Sequence, residues 1–136
     1  MASIASENVI STSKRASTRL TRNSKIFKAI IKAIQEKKGS HIVSLDLRKI
    51  TEASSDFFIV CEATSSVQIK AIADNVDDVV QREIAERPYR SEGYQSLKWV
   101  LIDYVNVVVH IMQPEARKFY QLEEMWHDAP SMEHEG

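Results

Sequence analysis

The sequence is poor in the residues that most catalytic and metal-binding motifs need. Its three glycines, at positions 39, 93 and 136, are too few and too far apart for a phosphate-cradling GxGxxG or GxxxxGK[ST] loop. The single cysteine, Cys61, cannot form an internal bridge, which excludes a secreted disulfide framework and points to a reducing compartment. It lies in an apolar run between Val60 and Glu62 with no histidine near it in sequence, the setting of a small core residue. The four histidines, at positions 41, 110, 127 and 134, have no paired zinc-ligand spacing and no second cysteine to help them. No apolar run approaches the roughly 18 residues of a membrane span, and none follows a basic start as in a secretory signal. The expectation is a soluble, intracellular protein of the cytoplasm, with no metal, no cofactor and no membrane partner.

What is present has the balance of one ordinary domain: 136 residues, 43% hydrophobic and 27% charged, can bury a core without a disulfide or structural metal. The net charge of −1 hides an asymmetry. Residues 1–23 carry Lys14, Arg15, Arg19 and Arg22 against Glu7, a net of +3 that leaves −4 for the remainder. A mildly acidic body is a poor grip for phosphate backbone and suits a basic protein partner better. Residues 1–23 are also rich in Ser and Thr without any period, the composition of a disordered tail. Rich in Arg and Ser and poor in acids, the tail also resembles an organelle transit peptide, which would move the protein to an organellar matrix.

Order is expected from Ser24, an N-cap residue, with Ile26, Phe27, Ile30, Ile31 and Ile34 at helical spacing and Gly39 closing the helix. Residues 41–47 and 57–61 read as strands joined by a polar connection with Ser54, Ser55 and Asp56. From Thr64 as N-cap, residues 65–86 place Ile69, Ile72, Ala73, Val76, Val79, Val80 and Ile84 on one helical stripe ended by Pro88. Strands follow at 98–104 and 107–112, with an extra edge strand near 88–93. Pro114 opens a short helix ending near Trp126, and the last ten residues read as acidic and loose. The order α, β, β, α, β, β, α gives an α+β fold, a mixed β-sheet with packed helices.

A two-residue turn at Val105 and Asn106 would pair Tyr104 with Val107, Ile102 with Val109 and Val100 with Ile111, six residues that form one apolar face. The opposite face carries Trp99, Leu101 and Asp103 beside Val108, His110 and Met112. Two readings stand for it: a helix covers it, or it is a solvent-facing hot spot in which an aromatic anchor sits among apolar groups and a charge.

The strongest catalytic rival is a nucleotidyltransferase, in which Gly-Ser before a strand is followed by paired carboxylates that hold two metal ions. Gly39 and Ser40 are present, but the strand ends Leu45-Asp46-Leu47-Arg48, so a positive charge stands where the second acid should be. Asp77 and Asp78 are helix neighbours whose side chains diverge, as on a solvated face.

Four blocks carry a family resemblance: Ser55-Asp56-Phe57-Phe58-Ile59-Val60; Gln68 to Val76; Trp99 to Tyr104 with Val107 to His110; and Pro114 to Trp126. Together they resemble the ribosomal silencing factor, or Iojap, family from about residue 25 to residue 129. The chain departs from the family in having Asn106 at a turn position usually acidic, and in its N-terminal tail. The resemblance implies a nucleotidyltransferase-like fold without the active site, hence no enzyme; with the composition of the two ends it divides the chain into a disordered basic tail (1–23), an Iojap-type ribosome-binding domain (24–127) and an acidic C-terminal tail (128–136). It implies binding to the large ribosomal subunit through that subunit's fourteenth protein, at the face that meets the small subunit, so that subunit association and translation are repressed. It allows a homodimer, and it involves no direct sequence-specific nucleic-acid contact. The alternatives are a large-subunit assembly factor and a residual nucleotide-binding enzyme.

For such docking, Glu92, Asp103 and Glu115 would supply charge complementary to a basic ribosomal protein. Trp99, Leu101 and Tyr104 would supply the apolar anchor, and His110 would pair with Asp103 diagonally across the ladder. Phe119, Leu122 and Trp126, spaced i, i+3 and i+7, are expected to pack on the sheet, with docking or dimerisation as the other role.

Overall fold

The computed structural model describes residues 20–135. The chain runs through α1 (Lys25–Glu36), β1 (Ser40–Asp46), β2 (Phe57–Glu62), α2 (Ser66–Ile84), β3 (Arg90–Glu92), β4 (Trp99–Asp103), β5 (Val107–Met112), α3 (Pro114–Tyr120), α4 (Leu122–Met125) and β6 (Ser131–His134). The six strands form one mixed sheet in the order β3-β4-β5-β2-β1-β6. Only β2 and β5 run parallel. Parallel neighbours need a long crossover, and α2 with the β3–β4 ribbon supplies it.

Helices α1 and α2 cover one face of this sheet. Their apolar stripes, including Phe27, Ile30 and Ile34 from α1 and Ile69, Ile72, Val76 and Val80 from α2, pack on Phe57, Ile59, Val100, Ile102, Val109 and Ile111. The hairpin pairing is the expected one: Val100 faces Ile111, Ile102 faces Val109, and the Tyr104 N–H donates to the Val107 carbonyl at 2.9 Å. Two smaller clusters lie on the other face, one around Leu45, Leu47, Ala53 and Ala129, the other around Val60, Met112 and Leu122.

Several boundaries differ from the sequence expectation. Residues 131–134, expected in a loose C-terminal end, are ordered: β6 pairs antiparallel with β1, from Ile42 opposite His134 to Leu45 opposite Ser131. Most of β6 is exposed, so backbone pairing with an open sheet edge orders it without leaving an alternating apolar pattern. Residues 20–23, assigned to the tail, join the domain: Leu20 packs against the main core, and its N–H donates to the Asp56 carboxylate at 3.0 Å. The rest of the tail, and any transit peptide in it, lies outside the described residues.

Gly39 does not close α1 by a left-handed turn; Lys38 takes that conformation at φ 65°. Gly39 is small because a Cβ there would lie 2.4 Å from the Ile34 methyl. The N-cap of α2 is Ser65, whose Oγ accepts from the Gln68 N–H at 3.1 Å, rather than Thr64. That helix ends before Pro88, at Ala85 with φ 61°. The segment expected as one helix from Pro114 to Trp126 is broken at Gln121, whose φ of 50° divides α3 from α4.

Candidate protein-docking site

The sheet face opposite α1 and α2 is partly covered by the α3–α4 segment. On the β5 side Val108, His110 and Met112 are buried, whereas on the β4 side Trp99, Leu101 and Asp103 remain half-buried. Leu122 is the lid, sitting with Val60 and Met112; Trp99 and Ala116 pack against its edge, and Leu101 and Asp103 beyond it are only partly covered.

Six rings run in contact from beneath this lid to solvent. Trp126 meets Phe58 at 5.9 Å, Phe58 meets the His110 ring edge-on at 4.6 Å, His110 meets Trp99 at 5.8 Å, and Trp99 meets Tyr120 at 4.6 Å. Tyr120 in turn holds Phe119 edge-on at 5.0 Å. The series ends in an exposed aromatic pair, with Phe119 78% and Tyr120 48% exposed. Edge-on and offset ring contacts of this kind fix orientation beyond simple burial.

The Trp99 indole N–H donates to Nδ1 of His110 at 3.1 Å. His110 is 3% exposed, and burial lowers its pKa to about 3, so the ring is neutral at physiological pH. With Nδ1 accepting, the ring proton resides on Nε2. His110 therefore aligns Trp99 rather than pairing with Asp103 as expected from the ladder. Asp103 is occupied otherwise: one carboxylate oxygen accepts the Val105 N–H at 2.7 Å, and the other meets Arg90 Nε at 3.4 Å.

Of the residues expected to bind a partner, Trp99 and Leu101 lie on the open face. Tyr104 does not: it belongs to the opposite face, is 6% exposed and packs in the main core, where burial raises its phenol pKa. Glu92 is exposed on edge strand β3 and ion-pairs with Arg90, so the guanidinium offsets part of the charge that Glu92 and Asp103 would offer. Glu115 is exposed in the first turn of α3 and lines a hollow of about 530 Å³ with Lys98, Trp99, Gln113, Phe119 and Tyr120. The stripe expected to pack on the sheet divides: Leu122 is core, Trp126 is half-buried and Phe119 faces solvent.

Three supporting residues escaped notice in the sequence. Gly93, at φ 95°, lets the β3–β4 connection approach the Trp99 backbone; a Cβ there would lie 2.0 Å from the Trp99 carbonyl oxygen. Gln113 closes the hollow through its N–H to the Lys98 carbonyl at 2.9 Å and its side-chain amide to the Leu97 carbonyl at 3.1 Å. Arg117 clamps the helical segment to the sheet. Its Nη1 donates to the His41 carbonyl at 2.7 Å and to Glu62 at 3.1 Å, and its Nη2 to Glu123 at 2.7 Å. The break at Gln121 is what lets Arg117 meet a residue six positions on, a spacing that an unbroken helix would not bring together.

Arg48 holds Asp46 in a fork, Nε to Oδ1 at 2.9 Å and Nη2 to Oδ2 at 2.7 Å, and these bonds lower the Asp46 pKa despite partial burial. Cys61 is fully buried, its thiol pushed up to about 12 by desolvation. Among the described residues no group of three His, Cys, Asp or Glu side chains could hold a metal ion, and no helix is long and apolar enough to cross a membrane.

A mixed six-stranded sheet with helices on both faces, and rings exposed at Phe119 and Tyr120, defines an α+β domain. Residues 21–136 match the family model described as "Ribosomal silencing factor during starvation". The ribosomal silencing factor RsfS of Halalkalibacterium halodurans is 38% identical over 84% of this chain and 96% of its own length. The chloroplastic protein Iojap of Zea mays is 33% identical over 77% of this chain and 45% of its own. A crystal structure of a Chromobacterium violaceum protein superposes with a TM-score of 0.71 at 37% identity, covering 76% of this chain and 84% of that one. The chain belongs to the ribosomal silencing factor family.

Proposed function

We propose that this chain docks on the large ribosomal subunit through the open aromatic face of β4 and α3, meets the subunit's fourteenth protein at the face that joins the small subunit, and represses translation by blocking subunit association. The observation that carries this is the row of rings that ends exposed at Phe119 and Tyr120 while its inner members are locked through Trp99 and His110. Protein interfaces concentrate their binding energy in such pre-oriented aromatic anchors. Family membership supports the ribosome as the setting.

The mechanism is steric and involves no catalysis. A domain seated on the intersubunit face occupies space the small subunit needs, so occupancy alone suffices. Glu115, at the rim of the aromatic hollow, and Glu92, exposed on β3 and partly offset by Arg90, supply charge that attracts a basic ribosomal protein. The same exposed aromatic pair supports self-association of the free protein, which light scattering after size-exclusion chromatography tests directly. The protein acts where its ribosomes are: in the cytoplasm by analogy with bacterial relatives, or in an organelle if the N-terminal segment is a transit peptide.

A role in assembling the large subunit is the second reading. It is favoured by a mouse relative named mitochondrial assembly of ribosomal large subunit protein 1, 28% identical over 53% of this chain. Mixing purified mature subunits with the protein separates the two. Silencing requires that subunit joining, followed by light scattering or a sucrose gradient, falls as protein is added; unchanged joining with bound protein leaves assembly as the role.

A further inference from the structure

The overall charge hides a contrast between the two long helices. On α2 the cations are neutralised within the helix, Lys70 by Asp74 at 2.7 Å and Arg82 by Asp78 at 3.1 Å. On α1, Lys25, Lys28 and Lys32 recur every three or four residues along the solvent face, and Glu36 is the helix's one acid. Lys32 reaches across to Glu83 at 2.8 Å, whereas Lys25 and Lys28 have no ion-pair partner among the described residues. Arg22 precedes them, anchored by its Nε–H to Ser44 Oγ at 3.1 Å with its guanidinium over the Phe57 ring. Arg22, Lys28 and Lys32 rim a shallow groove of about 320 Å³. In sequence the basic run continues upstream through Arg19, Arg15 and Lys14.

Like charges one helical turn apart disfavour a helix, and α1 carries two such pairs in succession, Lys25 with Lys28 and Lys28 with Lys32. That burden is relieved when a polyanion lies along the stripe. The surroundings indicate which one. A membrane-binding basic helix also presents a wide apolar face, but here Phe27 and Ile30 are buried in the core and Ile31 is half-buried. A nucleobase reader needs exposed rings to stack on, and no aromatic residue of α1 is exposed. Charge without stacking fits contact with a phosphodiester backbone, independent of base sequence.

We propose that the Arg22–Lys32 stripe of α1 is a contact for the RNA phosphate backbone, lying on the opposite side of the sheet from Trp99. It rests on the ribosomal reading for its setting, since RNA is the polyanion abundant there, but the contact itself is measurable on free RNA. A protein anchor on one face and a backbone contact on the other would together fix the orientation of the bound domain.

The test is fluorescence anisotropy of the full chain with an end-labelled RNA hairpin duplex of unrelated sequence, between about 50 and 200 mM salt. The wild-type protein should bind with an affinity that falls steeply as salt rises. Lys25→Glu with Lys28→Glu should weaken binding at least about tenfold and reduce the log–log salt slope by about two, as each lysine neutralises about one phosphate. Lys25→Gln with Lys28→Gln, milder at these exposed positions, should do the same in smaller degree, with circular dichroism checking the helix. Trp99→Ala should leave RNA binding intact, so loss of large-subunit binding in that variant bears on the docking face alone. The proposal is overturned if the wild-type chain does not bind RNA at low salt, if both double variants bind within about twofold of it, or if anionic phosphatidylserine vesicles are bound more tightly than the RNA.

Discussion

The indole N–H of Trp99 donates to Nδ1 of His110 across 3.1 Å, tying a half-buried aromatic on the open face to a ring sealed inside the sheet. A docking anchor that is already oriented loses less freedom on binding than one that must be ordered. His110→Phe keeps a ring of similar shape but removes the acceptor. We expect a stability loss of about 1 kcal/mol, the usual worth of one hydrogen bond, and a proportionally larger loss of affinity for the large subunit. Binding that tracks stability alone would show that the hydrogen bond does not orient the anchor.

The same residue makes stability depend on pH. Folding lowers the His110 pKa from 6.5 to about 3. Between those values the unfolded chain takes up a proton that the folded chain refuses, so stability falls as pH drops below about 6.5 and levels off below about 3. The loss is up to about 1.4 kcal/mol per pH unit in that window. His134, lowered by burial and by Arg22, adds a contribution of the same sign. Urea midpoints at pH 7 and pH 4.5 should therefore differ less for His110→Phe than for the wild type; equal differences would contradict a buried neutral His110.

Arg117 should matter for stability through the clamp rather than through contact with a partner. Its side chain is 11% exposed and lies between Glu62 and Glu123. Arg117→Met would leave two carboxylates facing each other across an apolar chain, and we expect a cost of about 2 kcal/mol. Adding Glu123→Gln should restore part of it. A cost below about 0.5 kcal/mol in urea unfolding would mean the clamp is incidental.

Val105 stores strain at the tip of the β4–β5 hairpin. A β-branched residue at φ 75° is held there by the Asp103 carboxylate on its N–H and by Ser55 Oγ donating to its carbonyl at 2.8 Å. The side chain is exposed, so Val105→Gly forfeits little packing and should raise stability by about 1 kcal/mol in thermal or urea unfolding. A destabilised variant would show that the turn is not strained.

Much of this was legible in the sequence. A two-residue turn at Val105 and Asn106 predicts the observed hairpin pairing, and the two-residue period of a strand then separates the core face from the one bearing Trp99. The Asp46–Arg48 pattern excluded the paired carboxylates of a nucleotidyltransferase, and the structure joins the two side chains directly. What escaped depended on tertiary contact. The strand β6 is polar and exposed, and only the free edge of β1 orders it. The Gln121 break has no glycine or proline to announce it, yet it turns Phe119 outward and brings Arg117 to Glu123. Ladder geometry alone points His110 to Asp103, whereas the longer indole of Trp99 reaches the ring and Arg90 takes the carboxylate.

The most direct test is pelleting with purified large ribosomal subunits through a sucrose cushion, comparing the wild type with Trp99→Ala. Trp99 is half-buried at the margin of the core, so the variant should keep its fold by circular dichroism. We expect the wild type to pellet with the large subunit and not with the small one, and the variant to lose about 2 kcal/mol of binding, roughly thirtyfold in affinity. A folded Trp99→Ala protein that pellets as well as the wild type would contradict docking through this face.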